Sequence, residues 1–287
     1  MPSRLDATEH PVIACYRGLD SADAVGLGAL MAKALREPLV LASAYRYDPV
    51  SLSAQALPAP DNERRATAAA TALRRARQFA GPGVEVRDAV VPGARIIDAL
   101  VELAGDCAAS MLVLGRDTRG HVTRSLIPRA PCPVAVSPLS VPLPRVSLPR
   151  RIGIAFDGSP TAACALVAAR HLALTTGAQL VVLAAAATEA HAAAWLHIAR
   201  QSLETSNVQY TTSALLGKPA ARLSEASGEL DLLVCGSRGR GRPLATILGS
   251  VSTQLVTHAQ CPVLVVPPTA ARRDGHPLGI APSAANL

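Results

Sequence analysis

The sequence predicts two doubly wound α/β domains, each a five-stranded parallel sheet with helices on both faces. Three observations lead there. Short apolar runs alternate with longer segments of helical pattern along the whole chain of 287 residues, a length that suits two domains. The chain repeats itself: Val12 to Arg17, a glycine turn and a helix pattern through Leu35 are answered by Ile152 to Asp157, Gly158-Ser-Pro160 and a helix pattern through Leu174. Hydrophobic residues make up 49% but aromatics only 2%, so the core must be Ala, Val and Leu, which suits close helix–sheet layers.

Taken in order, strands of the first half fit near 11–16, 39–44, 84–90, 111–114 and 133–136. Helices fit near 21–35, 61–79, 93–105 and 121–128, the last cut short by Pro128. These elements span a domain over 10–138. The stretch 139–149 holds Pro142, Pro144 and Pro149 and reads as an extended linker. A second domain over 150–268 places strands near 151–156, 179–185, 208–214, 231–235 and 263–266. Its helices fit near 160–175, 189–204, 218–227 and 249–258. The tail, 269–287, has no apolar period and is expected to be mobile. Right-handed crossovers make each half Rossmann-like, with a switch point beside its first strand. Ligands of such sheets sit at the carboxyl ends of strands one and four, where Asp157 and Gly236 fall.

The segment after the fourth strand carries the chemistry. Asp231-Leu-Leu-Val-Cys235 reads as a buried strand, followed by Gly236-Ser-Arg-Gly239 and, further on, by Gly249-Ser250 before a helix pattern. Glycines let the backbone approach a ligand, and a helix start offers free N–H groups and positive dipole to an anion. The loop is neither a Walker A motif, since it lacks Lys, nor a dinucleotide fingerprint, since Leu244 takes the third glycine position. It reads as a polyphosphate cradle.

The first half lacks that cradle. Gly18 aligns with Gly158, Gly115 with Gly236 and Cys132 with Cys261, at offsets of 140, 121 and 129. The shortfall falls on the loop: Gly236 and Gly249 are 13 positions apart, Gly115 and Gly120 only 5. Four intervening residues reach about 14 Å at most, too little to curl around a triphosphate while joining strand to helix. Arg17 also stands where the second half has Asp157. The first half reads as a degenerate copy without nucleotide binding; a smaller anion held by Arg17 and Arg116 is the alternative.

The net charge is +7, almost all arginine, Lys33 and Lys218 being the lysines. It favours anionic partners in general. The scarcity of aromatics speaks against nucleic acid as the partner. Cysteines 15, 107, 132, 164, 235 and 261 show no Cys-x-x-Cys spacing and no histidine cluster, so no metal site is expected and a reducing, cytoplasmic setting fits. The N-terminus lacks the apolar core of a signal peptide, and no uncharged apolar stretch is long enough for a membrane span.

The loop pattern, together with Ile154-Ala-Phe-Asp-Gly-Ser-Pro160, Leu216-Gly-Lys-Pro-Ala220 and Gln260-Cys-Pro-Val-Leu-Val-Val-Pro267, resembles the universal stress protein family. The whole chain looks like two fused copies, the second similar over its full length. The resemblance implies a stress-response or regulatory protein that binds ATP, or AMP or ADP in its place, with Mg accompanying the triphosphate. It implies that Ala155 lines the adenine pocket and Asp157 meets the adenine or ribose end. Gly236, Arg238 and Gly239 would approach ribose and phosphates. Gly249, Ser250, Val251 and Ser252 would hold the phosphates at the helix start. The connection Ala184 to Glu189 is short where the family has a long excursion, which the first copy keeps at Tyr45 to Asp61.

Other readings stand beside these. Asp157 serves equally as a turn or capping residue and Ser250 as an N-cap, while Arg240 and Arg242 read as solvated. A nucleotide hydrolase or nucleotidyl transferase of this fold would need a base and metal ligands near the phosphates; Asp157 is the one acid near the loop, and no catalytic residue is assigned, while a non-catalytic interaction scaffold with a vestigial pocket is the other alternative. The apolar strands Pro133 to Val136 and Pro262 to Val266 are expected to pair edge to edge, as family domains do. Such pairing gives a pseudo-dimer within one chain, alongside homodimers or an unidentified protein partner.

Overall fold

The computed structural model describes residues 9–48, 60–115, 121–138, 147–237 and 248–268, with Ala270 and Leu278 beyond them. The first half runs β1 (Val12–Cys15), α1 (Ala22–Leu35), β2 (Leu39–Arg46), α2 (Pro60–Ala76), β3 (Val86–Gly93), α3 (Ile96–Asp106), β4 (Met111–Leu114), α4 (His121–Leu126) and β5 (Val134–Val136). The second half repeats the order: β6 (Arg151–Ala155), α5 (Pro160–Thr176), β7 (Gln179–Ala186), α6 (Glu189–Leu203), β8 (Tyr210–Leu216), α7 (Pro219–Ala226), β9 (Leu232–Gly236), α8 (Ser250–His258) and β10 (Val263–Val266). The expected third strand of the first half runs on to Gly93, past Pro92. β3 is an edge strand, where a missing N–H leaves no ladder bond unmade.

The two five-stranded halves join edge to edge in one sheet. Its strand order is β3-β2-β1-β4-β5-β10-β9-β6-β7-β8. Each half contributes five parallel strands with its first strand central. The halves meet where β5 and β10 run antiparallel, with Val136 opposite Val263, Ala135 opposite Leu264 and Val134 opposite Val265.

Apolar residues alternate between two cores because successive side chains leave a strand on opposite faces. Val12, Ala14, Ile152, Ile154, Val234 and Leu264 face α1, α2, α5 and α6. Ile13, Val40, Leu112, Leu233, Val263 and Val265 face α3, α4, α7 and α8. Strands buried on both sides read as the continuous Val-Ile-Leu runs of the sequence. In the tail, Ala270 and Leu278 are both fully buried, and Leu278 joins the core on the side of α1, α2, α5 and α6. The rest of the tail expected to be mobile lies outside the described residues.

Helix ends follow local chemistry. Ser159 caps α5, its Oγ accepting from the Ala162 amide at 3.2 Å, with Pro160 in the first helical turn and Gly177 closing it at φ +71°. Thr188 caps α6 in the same way through His191. α1 ends instead on Arg36, held at φ +59° where its counterpart is Gly177. A side chain in that region costs about 1 kcal/mol relative to glycine.

Candidate functional site

The site is built where β6 and β9 lie side by side at their carboxyl ends. Beyond β6 the Phe156 amide still donates to Leu183 O at 2.9 Å, and the chain then turns at Asp157-Gly158, with Gly158 at φ +70°. Asp157 is half-buried, and its Oδ1 accepts from the Ser159 amide at 3.0 Å. This is the turn role foreseen for it, and it fixes the carboxylate at the strand end. Ala155 is half-buried in the ladder between Leu183 and Cys235 and packs on the side of α3, α4, α7 and α8.

Gly236 ends β9 under close constraint. A Cβ placed there would lie 2.8 Å from the carbonyl carbon and Oγ1 of Thr161. The first turn of α5 therefore takes the space that a side chain would need, so Gly236 serves helix–strand contact, and its carbonyl accepts from Ser252 Oγ at 2.8 Å. Ser252 is 4% exposed and also touches the Cys235 thiol. Its hydroxyl thus ties the start of α8 to the end of β9.

Gly249 is the N-cap of α8, with no side-chain cap, and its amide donates to Ser237 O at 2.8 Å. Ser250 is the first helical residue and exposed, so it is not the N-cap. The amides of Ser250, Val251 and Ser252 precede the first intrahelical bond, from the Thr253 amide to Gly249 O at 2.9 Å. Sequence reasoning missed Ser237. It is 2% exposed, and its Oγ has no hydrogen-bond partner among the described residues. An unpaired buried hydroxyl costs about 1–3 kcal/mol, so it marks a place where an acceptor is wanted. The signal was its position one residue past the strand-end glycine. Arg238 and Gly239, expected at the ribose and phosphates, lie outside the described residues.

Burial pushes the Cys235 thiol up to about 12, the nearby Asp157 charge adding to the effect. Cys15 and Cys261 are raised to about 12 by burial as well. These thiols are packing groups at neutral pH. Trp195 packs from α6 against Gly158 with His191 stacked on it at 6.1 Å, on the sheet face away from Ala155. Among the described residues no group of three His, Cys, Asp or Glu is placed to hold a metal ion, and no helix is long and apolar enough to cross a membrane.

The first half reproduces the frame with the opposite charge at its end. The Tyr16 amide donates to Ala42 O at 2.8 Å, as Phe156 does to Leu183. A Cβ on Gly115 would meet the Ser21 Cα at 2.9 Å, as Gly236 meets Thr161. Thr123, buried, stands at the position of Ser252. At the place of Asp157, however, stands an exposed Arg17, and at that of Ala155 stands Cys15.

Comparison with known proteins agrees with this frame. The profile of the Universal stress protein family matches residues 10–138 and 184–267. It takes the first half whole and the second from within β7 onward. Ala155 and Asp157 therefore lie outside it, and the similarity is narrower there than the full length expected of the second copy. Universal stress protein Rv1996 of Mycobacterium tuberculosis is 41% identical over 59 residues, 21% of this chain and 19% of that protein. Universal stress protein Rv2005c of the same organism is 46% identical over 48 residues, 17% of this chain and 16% of that protein. The matched segments thus span less than two thirds of either relative. The crystal structure of a universal stress protein from Archaeoglobus fulgidus superposes with a TM-score of 0.69, covering 91% of this chain and 99% of that one at 16% identity. At that identity the likeness is one of fold.

Proposed function

Because the chain belongs to the universal stress protein family, we propose that it is a cytoplasmic regulatory protein that binds an adenine nucleotide, ATP foremost, in its second half alone. The reading rests on one juxtaposition. The uncapped start of α8, at Gly249 and Ser250, follows the end of β9, and β9 lies directly beside β6, whose end carries Asp157. A helix start attracts phosphate through its amides and dipole, and a fixed carboxylate at the adjoining strand suits the hydroxyls of a ribose or the amine of a base.

In this reading Ala155 and Asp157 meet the nucleoside. The amides of Ser250, Val251 and Ser252 face the phosphates, and the Ser237 hydroxyl gains the acceptor it lacks. Arg238 and Gly239 complete the cradle. Gly236 and the Ser252 hydroxyl hold its frame and do not touch the ligand. Mg would arrive with the triphosphate. The bound nucleotide would alter a surface read by a protein partner. The β5–β10 seam supports reading the chain as an internal pseudo-dimer of two family domains.

Equilibrium dialysis of the full chain against ATP and AMP tests the proposal. Saturable binding weakened about tenfold or more by Asp157→Ala, equivalent to about 1.4 kcal/mol, is expected. An absence of binding to either nucleotide would falsify it.

A further inference from the structure

The sheet ends in two edges of unlike character, β3 and β8. In a parallel ladder, alternate residues of an edge strand turn both N–H and C=O to their neighbour, and the residues between turn both away. In β8, Gln209 O accepts from the Leu180 amide at 2.9 Å, and the Gly217 amide donates to Ala186 O at 3.0 Å. Odd positions therefore face β7, and Tyr210, Thr212, Ala214 and Leu216 present their backbone groups outward. In β3, Glu85 O accepts from the Leu39 amide at 2.8 Å and Gly93 O from the Tyr47 amide at 3.0 Å. Its outward positions are Val86, Asp88, Val90 and Pro92. That edge is blunted: Pro92 has no N–H to offer, and Asp88 places a carboxylate there, paired with Arg77 at 3.1 Å.

β8 has none of these devices. Tyr-Thr-Thr-Ser-Ala-Leu-Leu holds no charge, proline or glycine, and among the described residues it pairs with β7 alone. Ala214 is exposed, and Leu216 is 50% exposed. Arg200 reaches over from α6, but its bond goes to the Thr212 hydroxyl at 2.7 Å and not to the strand's backbone groups. An open edge of this kind is a template for a further strand. The strand also complements itself. Laid antiparallel about Ser213, it sets Thr212 opposite Ala214 of a second copy and Tyr210 opposite Leu216. Every one of these positions has its N–H and C=O turned outward. All four share one face, on which Tyr210 packs against the core beside α6, so the exposed Leu216 meets the ring of the other Tyr210. β5 and β10 already pair with each other within the chain. With β3 blunted, β8 is left to pair with its own copy, which closes a two-fold dimer and builds no fibre.

We propose that two copies of this chain associate β8 against β8, antiparallel about Ser213, carrying the sheet across a dimer. Sedimentation equilibrium of the full chain over the micromolar range tests this in wild type, Ala214→Pro, Ala214→Lys and Val90→Lys. Ala214→Pro removes one outward N–H and leaves the bonds to β7 in place. Ala214→Lys keeps the backbone and adds a charge, and Val90→Lys puts that charge on an exposed outward position of β3. Circular dichroism checks folding; should the proline variant unfold, the lysine variant carries the test. Wild type and Val90→Lys are expected to dimerise alike, with a dissociation constant about tenfold or more higher in the Ala214 variants. The amides of Thr212, Ala214 and Leu216 should gain protection from hydrogen exchange as dimer forms. A monomeric wild type, a dimer insensitive to a folded Ala214 variant, or one weakened equally by Val90→Lys overturns the proposal. Protection of those amides in the monomer would mean that another part of the chain covers the edge, and overturns it too.

Discussion

The two halves share a skeleton and differ at its working end. Gly115 and Gly236 both end a fourth strand, and both lack a side chain because the first turn of a helix presses against them, at Ser21 in one half and Thr161 in the other. Thr123 and Ser252 are both buried hydroxyls in the first turn of the next helix. What changes is what the frame displays: Arg17 against Asp157, and a short loop against a long one. The difference teaches that the glycine of the loop belongs to the frame. Its presence in both halves accompanies the fold, and ligand preference must be sought in the residues around it.

Several substitutions would break or sharpen this comparison. The largest effect is expected at the seam. Leu264 is fully buried opposite Ala135, and Leu264→Asp should destabilise the chain by about 3–5 kcal/mol in urea unfolding. Hydrogen exchange should then rise in β5 as well as β10; protection retained in β5 would mean that the halves stand independently. Gly115→Ala and Gly236→Ala should each cost about 1–3 kcal/mol from overpacking against backbone atoms, and a loss in one alone would break the parallel. A smaller change is expected where the halves part company at the end of their first helices: Arg36→Gly should raise stability by up to about 1 kcal/mol, measured by thermal unfolding. The least is expected at Asp48. The Arg65 hydrogen bond, with the charges of Arg46 and Arg65, holds its carboxyl below the usual range. The folded group binds its proton less readily than the unfolded one, so its contribution is present above the ordinary carboxylate pKa and fades as pH falls through the lower folded value. Acid titration of Asp48→Asn should show a shallower loss there than wild type.

The fold was legible because the apolar runs are short, doubly buried and separated by Gly and Pro punctuation, and because the second half repeats the first. Pro92 obscured the extent of β3, since a proline is tolerated on an edge that the sequence does not reveal. The continuity of the sheet depended on Val134–Val136 meeting Val263–Val266, a pairing of short apolar strands that the sequence suggested but whose register it could not fix. At the site, Asp157 and the start of α8 were legible from turn and capping chemistry. At Gly236 the first turn of α5 fills the side-chain space, and a glycine that admits a helix and one that admits a ligand look alike in sequence. The Ser252 hydroxyl finds the Gly236 carbonyl while that of Ser237 finds no partner among the described residues, a consequence of packing between β9 and α8 that local pattern does not carry. Arg238 and Gly239 fall outside the described residues.

The central claim is that only one of two equivalent crevices is fitted for a nucleotide. Native mass spectrometry of the full chain with ATP counts nucleotides per chain directly. The account predicts a single bound nucleotide, retained in Arg17→Ala and lost in Asp157→Ala at concentrations near the dissociation constant. Two nucleotides per chain, or one that disappears with Arg17 and survives removal of Asp157, would contradict it.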